Sequence, residues 1–255
     1  MNNMDLRGKV ALVNGGARDI GRCTSVRLAQ CGAKVVFSYP PFEDPKFAEE
    51  TVQQIQANGG TAFAVPCDVM KPADIEAFVI KARESVGPAI DILVNVAGGL
   101  VARKGVAEMD EAFWDFVIDL NLKSTFLMTK AVLPFMPDGA AIVNFASQAG
   151  RDGGGPGSLA YATAKGGIMT FTRGLAKELG MRKIRVNAVC PGMINTTFHN
   201  TFTKPEVRVK VAAATPLGRE GDPCEVANLV AYLVSPESSF LNGTNIDVNG
   251  GLFFS

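Results

Sequence analysis

The sequence predicts an α/β protein built as one doubly wound domain, with a mostly parallel, seven-stranded sheet and helices on both faces. Short apolar runs rich in β-branched residues alternate with longer segments of helical periodicity, a pattern typical of right-handed βαβ units. The first apolar run ends in a glycine-rich turn, and polar residues follow several later runs. No linker, charge run or change of composition divides the chain, so residues 1–255 are expected to form a single domain.

The first half of the chain is expected to alternate strands with helices. Gly32 ends the periodicity of the first helix, and Pro72 suits the first turn of the third. Pro40, Pro41 and Pro45 separate the second strand from the second helix. The predicted strands are residues 9–14, 33–39, 61–67 and 91–96, and the predicted helices are residues 20–30, 46–57 and 72–86.

The second half begins with a long helix, residues 112–133, that is apolar around much of its girth. A helix with so few polar positions is usually covered on two sides, here by the sheet and by a second subunit. A polar and aromatic segment, about residues 193–210, is expected to be a loop that covers the substrate. The remaining predictions are strands at 140–146, 184–190 and 244–248, a helix after the glycine-rich loop 150–157, and a helix at 222–234.

Composition argues against several classes of function. Because 25 basic residues balance 25 acidic ones, nothing favours nucleic acid or an anionic membrane as a partner. No apolar stretch approaches the roughly 20 residues that span a bilayer, and residues 1–5 lack the features of a signal peptide. Five scattered cysteines without a CxxC pair indicate free thiols, and we expect a cytoplasmic protein. The one histidine, His199, leaves no His-rich metal site, and no metal is expected.

The chemistry is expected at Tyr161 and Lys165, which are four residues apart and therefore share one face of a helix. An ammonium beside a phenol stabilises the phenolate and lowers a pKa that is ordinarily about 10. Such a pair on its own is more often an exposed helix pair. Ser147 follows the apolar run 140–146, and Asn121 lies on the long helix. This combination makes a catalytic site the better interpretation.

These residues and the glycines after the first strand, Gly15, Gly16 and Gly21, occur in a characteristic order and spacing. In this respect the chain resembles the short-chain dehydrogenase/reductase family, from about Gly8 to Gly251. The resemblance implies a Rossmann-type fold and an oxidoreductase that uses a nicotinamide cofactor.

The resemblance also implies roles for four residues. Tyr161 is expected to protonate the carbonyl oxygen of the substrate, and its phenolate to act as the base in the reverse direction. Lys165 is expected to lower the Tyr161 pKa and to hold the nicotinamide ribose. Ser147 is expected to position the reacting oxygen, and Asn121 to hold a water that links Lys165 to solvent. The plainer alternatives are that Ser147 caps a turn and that Asn121 bonds the backbone; His199 is expected to contact substrate or solvent.

The expected cofactor site begins at the glycine turn, where backbone N–H groups and a helix N-terminus suit a pyrophosphate. By resemblance, further residues flank the adenine, line the cofactor and meet the nicotinamide carboxamide. The full set is Gly15, Arg18, Asp19, Ile20, Gly21, Ser38, Tyr39, Asp68, Val69, Asn95, Ala97, Gly98, Tyr161, Lys165, Pro191, Gly192, Ile194 and Thr196.

Two positions in the glycine turn depart from the family pattern. The family usually has Thr where this chain has Asn14, and Gly where it has Asp19. Asn14 can make similar local hydrogen bonds. Asp19 tolerates a left-handed backbone and can cap the following helix. Its negative charge would nevertheless be unfavourable near a pyrophosphate unless the side chain turns away.

NADPH is expected to be preferred, with the use of NADH left open. An NAD-specific site carries a carboxylate near the end of the second strand, where this chain has Tyr39. Ser38 and Tyr39 can donate hydrogen bonds to a 2′-phosphate, and Arg18 stands where NADP-using relatives often carry a basic residue. Pairing of Arg18 with Asp19, or acidic residues such as Glu43 near the adenosine, would weaken this preference.

The leading functional interpretation is transfer of hydride between NADPH and a ketone or alcohol, as in carbonyl and 3-oxoacyl reductases. Reductases that use an acyl carrier protein often bear a basic cluster after the long helix; residues 134–139 lack one, which favours a free small ketone or thioester. The alternatives are an obligate 3-oxoacyl-acyl-carrier-protein reductase, a sugar or polyol dehydrogenase, and a non-catalytic dinucleotide-binding regulatory protein. The long helix and a second helix with Gly166, Gly167 and Gly174 favour a homotetramer.

Overall fold

The computed structural model describes residues 4–254; residues 1–3, part of the segment expected to lack the features of a signal peptide, and residue 255 lie outside the described part. Seven parallel strands form one sheet in the order β3-β2-β1-β4-β5-β6-β7, so the predicted fold class is confirmed, with a sheet that is wholly parallel. The strands are β1 (Val10–Asn14), β2 (Lys34–Tyr39), β3 (Thr61–Pro66), β4 (Ile92–Asn95), β5 (Ala141–Phe145), β6 (Arg185–Pro191) and β7 (Asn245–Val248).

The helices connect the strands and pack on both faces of the sheet. Within residues 4–254 no helix is long and apolar enough to cross a membrane. The α-helices are α1 (Asp19–Gln30), α2 (Lys46–Ala57), α3 (Pro72–Val86), α4 (Glu111–Ile118), α5 (Ser124–Val132), α6 (Ala149–Asp152), α7 (Leu159–Glu178), α8 (Thr197–Phe202), α9 (Pro205–Ala214) and α10 (Pro223–Val234).

The chain reverses its direction across the sheet between β3 and β4. From β1 it builds outward through β2 to β3, and β4 then lies on the other side of β1. In such sheets a ligand crevice opens beyond the carboxyl ends of the two central strands. Those ends are Asn14 and Asn95, which are partners in the parallel register. The glycine turn after β1 and the loop after β4 therefore border the same crevice.

Two apolar layers hold the helices against the sheet. α1, α2 and α10 pack on one face through side chains such as Leu28 and Val230, and α3, α5 and α7 pack on the other through side chains such as Phe78 and Met128. Every residue of β1 and β4 is buried, as expected for central strands covered on both faces.

The helix predicted over residues 112–133 is confirmed as one continuous helical segment, but it is not α-helical throughout. The segment consists of α4 and α5 joined by a π-helical turn, Asp119–Lys123. Asn121 lies in this turn, and its Nδ2 donates to the carbonyl oxygen of Val117 at 2.9 Å. A π-helical turn inserts one extra residue into an α-helix. Because apolar residues flank the insertion on both sides, periodicity alone does not reveal it.

The prediction of a loop at about 193–210 is wrong in its secondary structure. The segment contains α8 and α9, and α9 extends to Ala214. Pro205 occupies the first turn of α9, a position that proline favours. Neither helix has a residue that is fully buried, so the apolar periodicity used to predict helices is weak in both. In the predicted glycine-rich loop 150–157, residues up to Asp152 form the end of the short helix α6.

Candidate active site

The four residues predicted to be catalytic meet at the carboxyl end of the sheet. Ser147 follows β5, Tyr161 and Lys165 lie on the first turns of α7, and Asn121 lies in the π-helical turn. A Cβ atom added to Gly98 would lie 2.5 Å from Asn121 Oδ1 and 3.3 Å from Lys165 Nζ. The loop after β4 therefore fits between these two side chains only because residue 98 is glycine.

Burial shifts the pKa values of Tyr161 and Lys165 in opposite directions. Burial raises the pKa of Tyr161 to about 12, and a side-chain hydrogen bond with Ser147 opposes that rise. Burial lowers the pKa of Lys165 to about 8. Lys165 Nζ lies 5.5 Å from the Tyr161 ring centroid and donates to the carbonyl oxygen of Phe145 at 2.8 Å. The expected depression of the Tyr161 pKa is thus absent in this structure, because desolvation outweighs the hydrogen bond with Ser147.

Both plainer alternatives for the remaining two residues are present in the structure. Ser147 Oγ accepts a hydrogen bond from the backbone N–H of Ala149 at 3.2 Å. Asn121 Oδ1 accepts from the backbone N–H of Gly99 at 3.0 Å, and Asn121 Nδ2 donates to the Gly99 carbonyl oxygen at 2.9 Å. The Asn121 side chain therefore ties the π-helical turn to the loop after β4, and its predicted role in holding a water stays a prediction.

The glycine turn is built so that two backbone segments touch. Gly15 has a φ of +84°, and a Cβ added to Gly21 would lie only 1.9 Å from the Gly15 carbonyl oxygen. Ser38 supports the turn with two hydrogen bonds: its Oγ donates to Asn14 Oδ1 at 2.9 Å and accepts from the Gly15 N–H at 3.0 Å. Ser38 is 1% exposed, so its predicted hydrogen bond to a 2′-phosphate is corrected.

The opposite side of the crevice is formed by the segment after β6. Gly192 N–H donates to the Val248 carbonyl oxygen at 3.0 Å, and a Cβ on Gly192 would lie 2.7 Å from that of Asn249. Ile194 is buried, and Thr196 Oγ1 donates to the Ile194 carbonyl oxygen at 3.1 Å. These residues therefore have fixed positions beside Ser147 and α7.

The arrangement fits a dinucleotide. The N-terminus of α1 follows the glycine turn and has no side-chain cap, so its first N–H groups are free of a capping side chain at a helix end that favours an anion. Cβ atoms at Gly15, Gly21 and Gly98 would collide with neighbouring protein atoms, so glycine at these positions lets the segments that border the crevice pack closely. The crevice also runs from the glycine turn to Lys165, the residue predicted to hold the nicotinamide ribose.

Comparisons with known proteins agree with this geometry. The model of a family described as enoyl-(acyl carrier protein) reductase matches residues 15–253. A short-chain dehydrogenase/reductase from Serratia marcescens is 32% identical, with a TM-score of 0.91 over 97% of this chain and 98% of its own. The chain belongs to the short-chain dehydrogenase/reductase family. It is therefore an oxidoreductase that acts on CH–OH or C=O groups.

Two further proteins are similar to this short-chain dehydrogenase/reductase. The 3-oxoacyl-acyl-carrier-protein reductase FabG of Vibrio cholerae is 36% identical over 252 residues, which is 98% of this chain and 99% of that protein. A blue fluorescent protein from a metagenomic library, crystallised in complex with NADPH, is 33% identical, with a TM-score of 0.91 over 98% of this chain and 100% of its own. Together they support a nicotinamide dinucleotide as the cofactor.

Asp19, in the glycine turn, has an unusual backbone conformation for a residue other than glycine. Asp19 has a φ of +50°, and its carboxylate accepts hydrogen bonds from the backbone N–H of Thr197, at 3.0 Å, and from the Thr197 hydroxyl. The side chain thus turns toward the start of α8 and does not cap α1. Arg18 does not pair with Asp19, since its Nε lies 2.6 Å from a carboxylate oxygen of Glu43.

The residues predicted at the adenine end keep mainly local contacts. Asp68 Oδ1 accepts from the backbone N–H of Met70 at 3.1 Å, and its other oxygen lies 3.2 Å from Lys71 Nζ. Val69 packs against the apolar layer that α3, α5 and α7 form with the sheet, and Tyr39 is the half-buried last residue of β2. The backbone of Asp68 and Val69 is therefore held in place at the rim of the crevice.

Asn95 belongs to a buried polar network that the sequence did not reveal. Its Nδ2 donates to Asn144 Oδ1 at 3.0 Å and to Thr129 Oγ1 at 3.2 Å, and Asn144 Nδ2 donates to Thr172 Oγ1 at 3.0 Å. The network joins β4 and β5 to α5 and α7. Its sequence signal is an Asn at the same register position of two neighbouring apolar strands.

Aromatic side chains of α8 pack against Tyr161. The Phe198 ring centroid lies 5.8 Å from that of Tyr161, and the Phe202 ring packs 5.2 Å from Phe198. Arg103 Nε donates to the Phe202 carbonyl oxygen at 3.1 Å, and its Nη1 donates to that of Pro156 at 2.9 Å. One guanidinium thus joins three segments around the site, a role that no sequence pattern indicated.

His199 lies in the same aromatic group. Its ring centroid is 5.0 Å from that of Phe198, and its Nδ1 is 2.9 Å from Thr203 Oγ1. Burial lowers the pKa of His199 to about 4. The ring is therefore neutral at ordinary pH, and it packs within the α8–α9 segment rather than facing the reacting groups.

Proposed function

We propose that this short-chain dehydrogenase/reductase is an NADPH-dependent carbonyl reductase that uses Tyr161 as its general acid. The observation that carries the proposal is the grouping of Tyr161, Ser147 and Lys165 at the carboxyl end of β5, beside a crevice that fits a dinucleotide. A bound nicotinamide would supply hydride to the carbonyl carbon of the substrate. The protein's part is to bind the ketone and to deliver a proton to its oxygen.

The side chains divide this work among themselves. Tyr161, with its raised pKa, is protonated at neutral pH and is ready to donate its phenolic proton to the substrate oxygen. Ser147, which is hydrogen-bonded to Tyr161, is placed to donate a hydrogen bond to the same substrate oxygen. Lys165, whose Nζ lies 5.5 Å from the Tyr161 ring centroid, stabilises the phenolate that remains after proton transfer. Phe198 and Phe202 exclude water and offer an apolar wall, which suits a ketone with an apolar substituent.

Replacement of Tyr161 tests the proposal directly. Tyr161→Phe removes the phenolic proton and keeps the ring, so turnover should fall by at least about a hundredfold while cofactor binding persists. Tyr232→Phe is the matched control, because Tyr232 lies on α10 and packs against the apolar layer away from the site. Turnover of Tyr161→Phe above about a tenth of the wild-type value would contradict the assignment.

The preference for NADPH is proposed from the charges near the ribose end. Tyr39 ends β2 where an NAD-specific site carries a carboxylate, and Arg18 is 51% exposed at its side chain beside the glycine turn. Glu43 pairs with Arg18 and competes with a 2′-phosphate for it. Arg18→Ala should therefore lower kcat/KM for NADPH more than for NADH, and Glu43→Gln should raise it for NADPH. Equal loss with both cofactors in Arg18→Ala would contradict the role of Arg18.

A free ketone or thioester is proposed as the substrate rather than an acyl carrier protein. The similarity to FabG of Vibrio cholerae favours the second candidate, a 3-oxoacyl-acyl-carrier-protein reductase. Residues 134–139, between α5 and β5, contain no basic side chain that would attract an acidic carrier. The measurement is the rate with an acyl-carrier thioester relative to a simple thioester. A carrier preference of more than about a hundredfold would establish the second candidate instead.

We further propose a cytoplasmic homotetramer, with 1–255 acting as one catalytic domain. Phe116 on α4 and Phe126 on α5 are 44% and 45% exposed, and both lie in the segment expected to face a second subunit. Light scattering that finds only a 27.0 kDa species at micromolar concentration would contradict the oligomer.

A further inference from the structure

Two cysteines that are far apart in the sequence meet on the outside of the fold. Cys23 lies in α1 and Cys224 in the first turn of α10, and their Sγ atoms are 2.9 Å apart. A disulfide requires a separation of about 2.0 Å, so an approach of about 1 Å would bring the two sulfurs to bonding distance. The two helices pack against each other along the same apolar layer, which keeps the thiols facing one another.

The pair also differs from the other thiols in its access to solvent. Cys224 is exposed and Cys23 is half-buried, whereas Cys31, Cys67 and Cys190 are buried. Burial raises the pKa of Cys67 to about 12 and that of Cys190 to about 11, so neither forms a reactive thiolate near neutral pH. A small oxidant therefore reaches Cys224 before any other thiol of the described residues.

We propose that Cys23 and Cys224 form a redox modification site, at which a peroxide produces a reversible intramolecular disulfide. The Cys224 thiolate attacks one peroxide oxygen, which breaks the O–O bond, gives Cys224 sulfenic acid and releases hydroxide, which the thiol proton converts to water. The Cys23 sulfur then attacks the Cys224 sulfur, and the S–O bond breaks with release of a second water. Two thiols lose two electrons and two protons, and one peroxide is reduced to two waters.

The rate of the second step depends on the ionisation of Cys23. Burial and the neighbouring Cys224 raise the pKa of Cys23 to about 12, so little Cys23 thiolate is present near neutral pH. The contact between the two sulfurs compensates, because it replaces a bimolecular encounter by an intramolecular one. Ring closure should therefore become faster as pH rises.

The cross-link would join two parts of the crevice. The glycine turn leads into α1, which carries Cys23. Gly221 lies directly before Asp222, the N-cap residue of α10. Gly221 N–H donates to the Met193 carbonyl oxygen at 2.9 Å, and Asn195 N–H donates to the Gly221 carbonyl oxygen at 2.8 Å. A disulfide would thus fix the helix that carries the glycine turn against the segment that leads into α8. This site is independent of the proposed reductase activity.

The test uses the purified full chain, hydrogen peroxide at neutral pH, and alkylation of the remaining thiols. Tryptic digestion should yield a linked pair of peptides, residues 23–27 and 220–255, about 2 Da lighter than their sum and separable by dithiothreitol. The oxidised protein should melt about 5–10 °C higher, because the cross-link closes a long loop. Cys224→Ser and Cys23→Ser should each abolish both effects, and Cys31→Ala, at the end of the same helix α1, should retain them.

Three results would overturn the proposal. The first is a stable sulfinic acid at Cys224 without a linked peptide, since Cys23 would then not trap the sulfenic acid. The second is a disulfide between two copies of the chain through Cys224. The third is an unchanged melting temperature in protein whose linked peptide is fully formed, because the bond would then not stabilise the packing of the two helices.

Discussion

Replacement of Asp19 by glycine is expected to loosen the α8–α9 segment, residues 197–214, without unfolding the protein. The Asp19 carboxylate bonds the backbone N–H and the hydroxyl of Thr197, and these are direct links between the glycine turn and the first turn of α8. Asp19 also has a φ of +50°, a conformation that glycine adopts more readily. The change therefore removes the links and relieves the backbone at the same position.

The two effects act on different equilibria. The backbone strain exists whether the α8–α9 segment is closed or open, so its relief raises global stability by about 1 kcal/mol and leaves opening unaffected. The hydrogen bonds exist only when the segment is closed; at the surface each contributes about 0.5–1 kcal/mol, or about 1–2 kcal/mol for both. Opening should become about 5–30-fold more frequent. The melting temperature should change by no more than about 3 °C.

Hydrogen exchange of peptides from residues 197–214 measures the opening, and calorimetry measures the melting temperature. Asp19→Asn is the matched control: it tolerates the same backbone and keeps an acceptor for the Thr197 N–H, but it lacks the charge. Its exchange should lie between those of wild type and Asp19→Gly. Exchange in Asp19→Gly within about twofold of wild type would refute the idea that Asp19 holds the segment closed. A fall of several degrees in melting temperature would instead show that Asp19 supports the whole fold.

Three further predictions concern the glycine turn, the neutral ring of His199 and the expected subunit interface. Gly21→Ala places a Cβ 1.9 Å from the Gly15 carbonyl oxygen, so titration should show cofactor binding weakened by at least about tenfold; binding within twofold would contradict the close approach. The lowered His199 pKa favours the neutral ring in the fold, so its stabilisation is complete above pH 6.5 and is lost as pH falls through about 4. Hydrogen exchange in residues 197–214 should accelerate over that range, and less so in His199→Gln. Phe116→Asp should shift light scattering to smaller species, whereas Met181→Asp, at a position 95% exposed, should not.

The order of the elements could be predicted because each strand and helix has its own local signal. Apolar runs, glycine and proline placed the seven strands to within one residue at either end. The placement of Tyr161 and Lys165 on one face of a helix could be predicted from their spacing, whatever the surrounding fold. The π-helical turn at Asn121 was missed because an inserted residue leaves the flanking apolar residues unchanged in type.

Contacts between distant segments could not be predicted in the same way. Ser38 was expected to face the cofactor, but alternation along β2 leaves open how deep the end of the strand lies beneath the glycine turn. The partner of Arg18 depended on where the proline-rich loop places Glu43. The contact between Cys23 and Cys224 depends on the packing of the first helix against the last. Each of these is set by tertiary structure, for which one sequence carries no local signal.

Polar groups of β5 fix the orientation of α7, the helix that carries Tyr161 and Lys165. α7 is bonded to β5 at two points: Lys165 Nζ donates to the Phe145 carbonyl oxygen at 2.8 Å, and Asn144 Nδ2 donates to Thr172 Oγ1 at 3.0 Å. The two points are seven residues apart on α7, which is about two turns, so they lie on one face of the helix. Apolar contacts resist separation of helix and sheet but are non-directional. Two directional bonds fix both the rotation of α7 and its position along β5, and Tyr161, one turn before Lys165, is thereby placed by the fold itself.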